Sequence, residues 1–321
     1  MSKTTRPSSK ATQSQFDLGL AGGKAPQPFL RWAGGKRRLT SLLIQAFPQD
    51  FKPEVNRYFE PFVGGGALMF ATGNKSAELF IPGKHIFIND SNPDLVTTYK
   101  VIKNQLPELL SELEKISQNL SKEEFERIRS STPTSNVTRA ARFIYLNKTC
   151  FNGLWRVNSS GHFNVPWGKL KNPLIFDQAN LEACRKRLSG SHITAGKFSE
   201  AVASAKKNDL VYFDPPYLPI SSSASFSQYA KDNFGVSDHE ELAETINRLT
   251  KKGVHVILSN SDTPETRRIF GKTLTLRQIM MNRSISAAAH ARTQVSEVLG
   301  TNYTIKRGTE ISNLRLISRP R

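Results

Sequence analysis

The sequence predicts an α/β domain interrupted by an inserted module of helices and a β-hairpin. Three observations carry this. Short apolar runs near the start end in glycine-rich or acidic turns, a central stretch switches to helical period, and strand–helix alternation resumes from about Ile193. In the opening stretch, Phe29 to Asp94, the run Ile86-Phe87-Ile88 predicts a buried strand ending at Asn89-Asp90. From about Pro93 to Lys148 the pattern is helical. Val137, Ala140, Ala141 and Ile144 share one face there, with Ser135 or Asn136 as N-cap. Gly153 to Trp167 alternates on both sides of the turn Asn158-Ser159-Ser160-Gly161 and predicts a hairpin. Leu210-Val211-Tyr212-Phe213 predicts a strand, Asp238 to Leu249 a helix, and Val254 to Leu258 a further strand. The resulting division is a tail over 1–26, an α/β domain over 27–95 and 169–321, and an insert over 96–168.

Charge narrows the partners. The chain carries 45 Lys+Arg against 27 Asp+Glu, a formal net charge of +18. Such an excess favours a polyanionic partner through counterion release. The tail is rich in Ser, Thr, Gln, Gly and Lys without a sustained apolar pattern, so it is expected to be flexible. No apolar run approaches membrane-spanning length, and Lys3 and Arg6 are not followed by the apolar core of a signal peptide. Cys150 and Cys184 are the only cysteines and have no framework spacing. A reducing cytoplasm and no structural metal are expected. The chain is expected to act as a monomer.

Three motifs carry chemistry. Glu60-Pro61-Phe62-Val63-Gly64-Gly65-Gly66-Ala67 places glycines between a strand and a helix, where backbone can approach a ligand closely. Alone it is equally an ordinary strand–helix turn. Asp90 ends the next strand, where an acid can take ribose hydroxyls; alone it is equally a helix cap. Asp214-Pro215-Pro216-Tyr217 directly follows a strand. The prolines stiffen the exit, the Asp214 carboxylate and Pro215 carbonyl can accept hydrogen bonds from one amino group, and Tyr217 can stack on the ring that carries it. The competing reading is a rigid loop with a capping Asp.

These residues carry a resemblance. Asp214-Pro215-Pro216-Tyr217 resembles the catalytic motif of amino-methyltransferases. Arg31-Trp32-Ala33-Gly34-Gly35-Lys36 resembles the N-terminal cofactor motif of the DNA adenine methylase (Dam) family, of the D12 class. Asn152 to Asn158, followed by Gly161 to Pro166, is similar to that family's DNA-recognition hairpin. Ser259-Asn260-Ser261-Asp262 and Arg283-Ser284-Ile285-Ser286 look like later family blocks. The likeness runs in family order from about Phe29 to Tyr303.

The resemblance implies a Rossmann-like sheet that binds S-adenosylmethionine and transfers its methyl group to N6 of an adenine in double-stranded DNA. It implies a bacterial or phage setting such as restriction–modification. Trp32, Ala33, Gly34, Gly35, Lys36, Glu60, Phe62, Gly64, Gly66, Asp90, Phe198 and Asp214 would hold the cofactor. Asp214, Pro215, Pro216 and Tyr217 would carry the reaction. Arg31, Phe151, Asn152, Leu154, Arg156, Asn158 and Pro166 would meet DNA, with Phe151 as a wedge into the duplex and Arg156 on a base edge. For Phe151 the competing reading is a core residue anchoring the hairpin; for Arg156, a phosphate contact. The hairpin resembles that of enzymes reading GATC. One departure stands out: Gly196-Lys197-Phe198 carries a lysine where many relatives carry an acid.

The chemistry needs neither metal nor nucleophilic cysteine, because the substrate nitrogen attacks. His162, His239 and His255 are expected to be structural, and Trp155, Leu170 and the loop around Ser286 to Val295 are candidates for flanking-sequence preference. Methylation of cytosine N4 or of a protein amide suits Asp214-Pro215-Pro216-Tyr217 less well. A DNA-binding protein without catalysis would tolerate a broken motif, yet both the acid and the glycine loop are intact.

Overall fold

The computed structural model describes residues 25–73, 80–218, 234–282 and 294–317. The expected tail (apart from its last two residues), the Arg283–Ser286 block and the loop that follows it, up to residue 293, lie outside the described residues.

Seven strands form one sheet: β1 (Tyr58–Glu60), β2 (Ile86–Asp90), β3 (His192–Ala195), β4 (Leu210–Phe213), β5 (His255–Ser261), β6 (Thr275–Asn282) and β7 (Gln294–Thr301). Their order is β3-β2-β1-β4-β5-β7-β6. The first five are parallel, and β7 enters antiparallel between β5 and β6. Strand order therefore reverses between β1 and β4, where Tyr58 pairs with Ile86 on one side and Leu210 on the other. In an open α/β sheet the crevice outside the carboxyl ends at such a reversal is the place for a ligand.

Both sheet faces are covered, which explains why β4 is buried at all four positions. Tyr58, Leu210, Tyr212, Ile257 and Leu299 join one core with helices α1 (Thr40–Gln45), α2 (Ala67–Ala71), α3 (Pro93–Asn104) and α7 (Gln178–Leu188). Phe59, Val211, Phe213, Val256 and Leu258 face the other way, onto α8 (Phe198–Ala201), α9 (Val236–Lys251) and α10 (Pro264–Phe270). Period-two alternation thus assigns each strand residue to its layer.

The central helical stretch resolves into α3, α4 (Leu106–Ser117), α5 (Lys122–Ser130) and α6 (Asn136–Thr149). The Asn92 side chain caps α3, accepting from the Asp94 and Leu95 amides, and Pro93 occupies the first turn. Of the two candidate caps of α6, Ser135 holds the position and accepts from the Thr138 amide. Helix α6 packs on α3, α4 and α5, so the helical stretch shares one core with the sheet.

Two elements differ from expectation. Strand β5 runs to Ser261 because β7 pairs with it across Ser259, Asn260 and Ser261, and Ser261 Oγ donates to Leu218 O. The hairpin over 153–167 is not a continuous ladder. Its arms meet only at bridges Val157–Phe163 and Cys150–Trp167, and Phe151–Gly153 is a 3₁₀ turn. Pro166 has no amide to donate, and Asn152 and Gly153 have φ of 54° and 64°, so pairing cannot propagate through the base. The arms are held instead by Trp155, whose ring lies 4.0 Å from Phe143 and 4.7 Å from Phe163.

Candidate active site

The carboxyl ends of β1, β2 and β4 bring Glu60, Asp90 and Asp214 to one edge of the sheet. The loop after β1 turns through Gly64 and Gly66, whose φ values of 46° and 69° fall in the region that favours glycine. A Cβ on Gly64 would stand 2.7 Å from the Trp32 indole, and one on Gly66 would stand 2.7 Å from the Tyr99 hydroxyl. The glycines therefore admit Trp32 and Tyr99 as well as opening the backbone. The Gly64 amide donates to Asp90 Oδ2 (3.0 Å), and the Asn92 amide donates to Oδ1 (3.0 Å). Burial pushes the Asp90 carboxyl above its ordinary range even with these amide bonds. Neighbouring Asn89 ties the layout together, donating to Pro61 O and Gly196 O and accepting from Thr194 Oγ1.

Glu60 is buried and accepts from the Tyr58 hydroxyl (2.9 Å). Desolvation pushes its carboxyl up to about 8; the Tyr58 hydrogen bond opposes this and the Asp214 charge adds to it. Phe62 stacks within an aromatic group, 5.4 Å from both Phe198 and Phe234. Lys197, just before Phe198, points to α9 and pairs with Glu241 at 2.9 Å.

Asp214 opens the loop after β4. Its Oδ1 lies 3.0 Å from the Lys36 ammonium, which also donates to Gly34 O (2.7 Å). That ammonium is 4.5 Å from the centre of the Tyr217 ring. Burial pushes the Asp214 carboxyl up to about 6, with Lys36 pulling it down and the Glu297 charge pushing it further up. The turn Trp32-Ala33-Gly34-Gly35 closes by a hydrogen bond from the Gly35 amide to Trp32 O, and Ala33 is exposed. Pro215 is buried and Pro216 exposed. The Ser259–Asp262 block braces the loop: Asn260 and Ser261 contact the backbone of Leu218, and Tyr212 OH meets Ser259 Oγ.

The second group gathers at the base of the hairpin. Phe151 and Leu154 are 50% and 42% exposed, so neither is a core residue anchoring the hairpin. Arg156 is exposed, with Nε donating to Asn164 Oδ1 (2.7 Å). Exposed Pro166 accepts from the Phe151 amide through its carbonyl, and Asn152 is exposed. Asn158 uses its Oδ1 on the Ser160 and His162 amides and so stabilises the turn. Arg31 is exposed, and buried Asn147 joins it to the hairpin by accepting from Arg31 N and donating to Arg31 O and Gly153 O. Trp155, weighed above for flanking preference, is held between Phe143 and Phe163.

Comparison with known proteins decides the family. The D12 class N6 adenine-specific DNA methyltransferases match residues 32–284. The chain belongs to that family. This adenine-specific DNA methyltransferase is 36% identical to the Type II methyltransferase M1.LlaDCHI of Lactococcus lactis, over 86% of its own length and 95% of the relative's. It is 36% identical to the Type II methyltransferase M.MjaIII of Methanocaldococcus jannaschii, covering 86% and 99%. It is 33% identical to the DNA adenine methylase of Vibrio cholerae, covering 86% and 96%.

The methyltransferase contains a contact at the site that no sequence motif announces. Tyr217 OH donates to Glu297 Oε2 on β7 at 2.9 Å. The available signal was an acid sharing an inward strand face with Leu299, which asks for a buried partner. Among the described residues no group of three His, Cys, Asp or Glu is placed to hold a metal ion, and no helix is long and apolar enough to cross a membrane. His239 is buried with Nδ1 on Gly235 O, His255 lies 3.2 Å from Asp50, and His162 is exposed on the hairpin. Both cysteines are buried and free, and burial pushes their thiols up to about 11 and about 12.

Proposed function

We propose that the enzyme binds S-adenosylmethionine at the carboxyl ends of β1, β2 and β4 and methylates N6 of an adenine flipped out of duplex DNA, within GATC. The single observation that carries this reading is the partly buried Asp214 carboxylate at the strand-order reversal, flanked by Lys36 and Tyr217. The residues present suit the cofactor. Asp214 Oδ1 faces the Lys36 ammonium and Glu60 accepts from the Tyr58 hydroxyl, which leaves both acids lone pairs for a ligand. Asp90 beside the Gly64 turn suits ribose hydroxyls, the Phe62–Phe198 pair suits an aromatic base, and Trp32 walls the glycine turn.

S-adenosylmethionine, when bound, supplies an activated methyl group on a good leaving group. The chain's own residues do the rest. Phe151 and Leu154 fill the duplex gap left by the displaced base, and basic side chains hold the phosphates. Tyr217 stacks on the adenine. The Asp214 carboxylate and the Pro215 carbonyl accept the two N6 hydrogens, which draws the nitrogen lone pair out of the ring. Positive charge then develops on nitrogen next to the Asp214 carboxylate, in a site largely screened from water. Residues 96–168 form the recognition module, with Arg156 held by Asn164 toward a base edge. The likeness of this hairpin to GATC-reading enzymes supports that target. Two free buried cysteines support a reducing cytoplasm, and the reading needs only one protomer.

Calorimetric titration with S-adenosylmethionine tests cofactor use. Binding by the wild type, weakened about 10-fold or more in Asp90→Ala by loss of charge-assisted hydrogen bonds, is expected. Equal affinity of both proteins would remove Asp90 from the site.

A further inference from the structure

Resting on the reading above, we infer that Glu297 is a positioning residue: it orients the Tyr217 ring against the target base. Tyr217 follows two prolines and leaves the sheet in a loop, so its backbone alone does not determine where the ring lies. Its side-chain contacts do. The hydroxyl donates to Glu297 Oε2 at 2.9 Å and also bonds the Asp214 side chain, and one side of the ring meets the Lys36 ammonium. An ionised acceptor makes the hydroxyl bond stronger than a neutral one, and it anchors the far end of the ring, where a small rotation displaces the stacking face most.

Glu297 itself is rigidly placed. It lies on β7 between two strands, opposite Ser261 of β5 and Ile279 of β6. Its neighbour Ser296 is clamped by Asp262: the Asp262 amide donates to Ser296 O and Ser296 Oγ donates to Asp262 Oδ2 at 2.6 Å. Asp262 also holds Arg267 bidentately and accepts from Gln278, so three elements (β5, β6 and α10) fix the β7 position that carries Glu297. Asp262 closes the Ser259–Asp262 block, whose Asn260 and Ser261 grip Leu218, the residue after Tyr217. Backbone and side chain of the stacking residue are thereby referred to the same rigid sheet. This gives the antiparallel β6–β7 pair a part in base placement beside the parallel strands that form the crevice. A catalytic geometry held by such supports is sensitive to the loss of one hydrogen bond at the edge.

The test compares Glu297→Ala, Glu297→Gln, Tyr217→Phe and the double variant Glu297→Ala/Tyr217→Phe, each first shown to melt as the wild type does. Glu297→Ala is expected to lower kcat about 10- to 100-fold, the range of one charge-assisted hydrogen bond lost in the transition state. Its KM for S-adenosylmethionine should be unchanged. Glu297→Gln keeps an acceptor and should recover most of that loss. Tyr217→Phe should lose at least as much, since its hydroxyl also bonds the Asp214 side chain, and adding Glu297→Ala to it should cost nothing further, because the Glu297 contact is already gone. A second readout is independent of turnover: with 2-aminopurine at the target position, the Glu297→Ala complex should be brighter than the wild type, since a loosened ring quenches less. Undiminished kcat in Glu297→Ala, or losses that multiply in the double variant, would overturn the inference while leaving the function intact. A wild type that transfers no methyl group would remove the functional reading and this inference with it.

Discussion

The Lys36 ammonium lies 3.0 Å from Asp214 Oδ1, close enough to neutralise the carboxylate on which the proposed chemistry depends. Lys36 comes from the N-terminal motif and Asp214 from the loop after β4, so this pair joins two motifs far apart in the chain. It also sets the proton affinity of the site. Burial raises the Asp214 carboxyl and Lys36 pulls it back, leaving it at about 6.

A pH profile follows from that balance. Only the ionised carboxylate stabilises the positive charge that develops on N6, so kcat/KM should fall as pH drops through about 6. Removing the cation with Lys36→Met lets the carboxyl rise, and the acid limb should move to higher pH by about one unit, the usual size of a nearby-charge effect. Steady-state rates at saturating cofactor between pH 5 and 9 would show this. An acid limb that stays in place would mean that Lys36 does not control Asp214.

Glu60 predicts a stability signature. Its carboxyl holds a proton up to about 8 in the folded chain and releases it near 4.5 when unfolded. The unfolded state therefore binds fewer protons between those limits, and this group destabilises the fold progressively as pH rises from about 4.5 to 8, with no further loss above. Glu60→Gln, which keeps an acceptor for the Tyr58 hydroxyl, should gain on the wild type across that window by a few kcal/mol, roughly, at its upper end. Denaturant titrations at pH 5 and pH 8.5 measure the difference. A gap that does not widen with pH would contradict the assignment.

Asn147 joins Arg31 to the hairpin with three hydrogen bonds from a fully buried amide. Asn147→Leu should cost about 2–4 kcal/mol, since it strands buried backbone groups. A cost under about 1 kcal/mol, the scale of an ordinary exposed substitution, would show that the network is not needed.

Arg156→Ala should relax sequence choice, costing about 1–3 kcal/mol of discrimination at one base pair while total DNA binding falls less. Equal losses on all sequences would make Arg156 a phosphate contact.

Much of the fold and of the site is legible in the sequence. The Gly64–Gly66 turn, Asp90 and Asp214 were readable because each motif is local: strand, turn and acid lie within a few residues. The strands Ile86–Asp90 and Leu210–Phe213 were readable because burial on both faces writes a short apolar run. What stayed hidden depends on contacts distant in sequence. Glu297 meets Tyr217 across eighty residues, and Asn147 meets Arg31 across more than a hundred. The hairpin read as a ladder because alternation reports side-chain facing, whereas pairing fails at Pro166 and at the left-handed Asn152 and Gly153. Lys197, a departure in the sequence, finds its place through Glu241 on α9, which no local pattern announces.

The central claim is most directly tested by methyl transfer from labelled S-adenosylmethionine to unmethylated plasmid DNA, followed by digestion to nucleosides and by cleavage with a nuclease specific for methylated GATC. Label in N6-methyladenine with cleavage is expected, both lost in Asp214→Ala, which should still bind cofactor and DNA. Label in any other base, or normal turnover by Asp214→Ala, would contradict it.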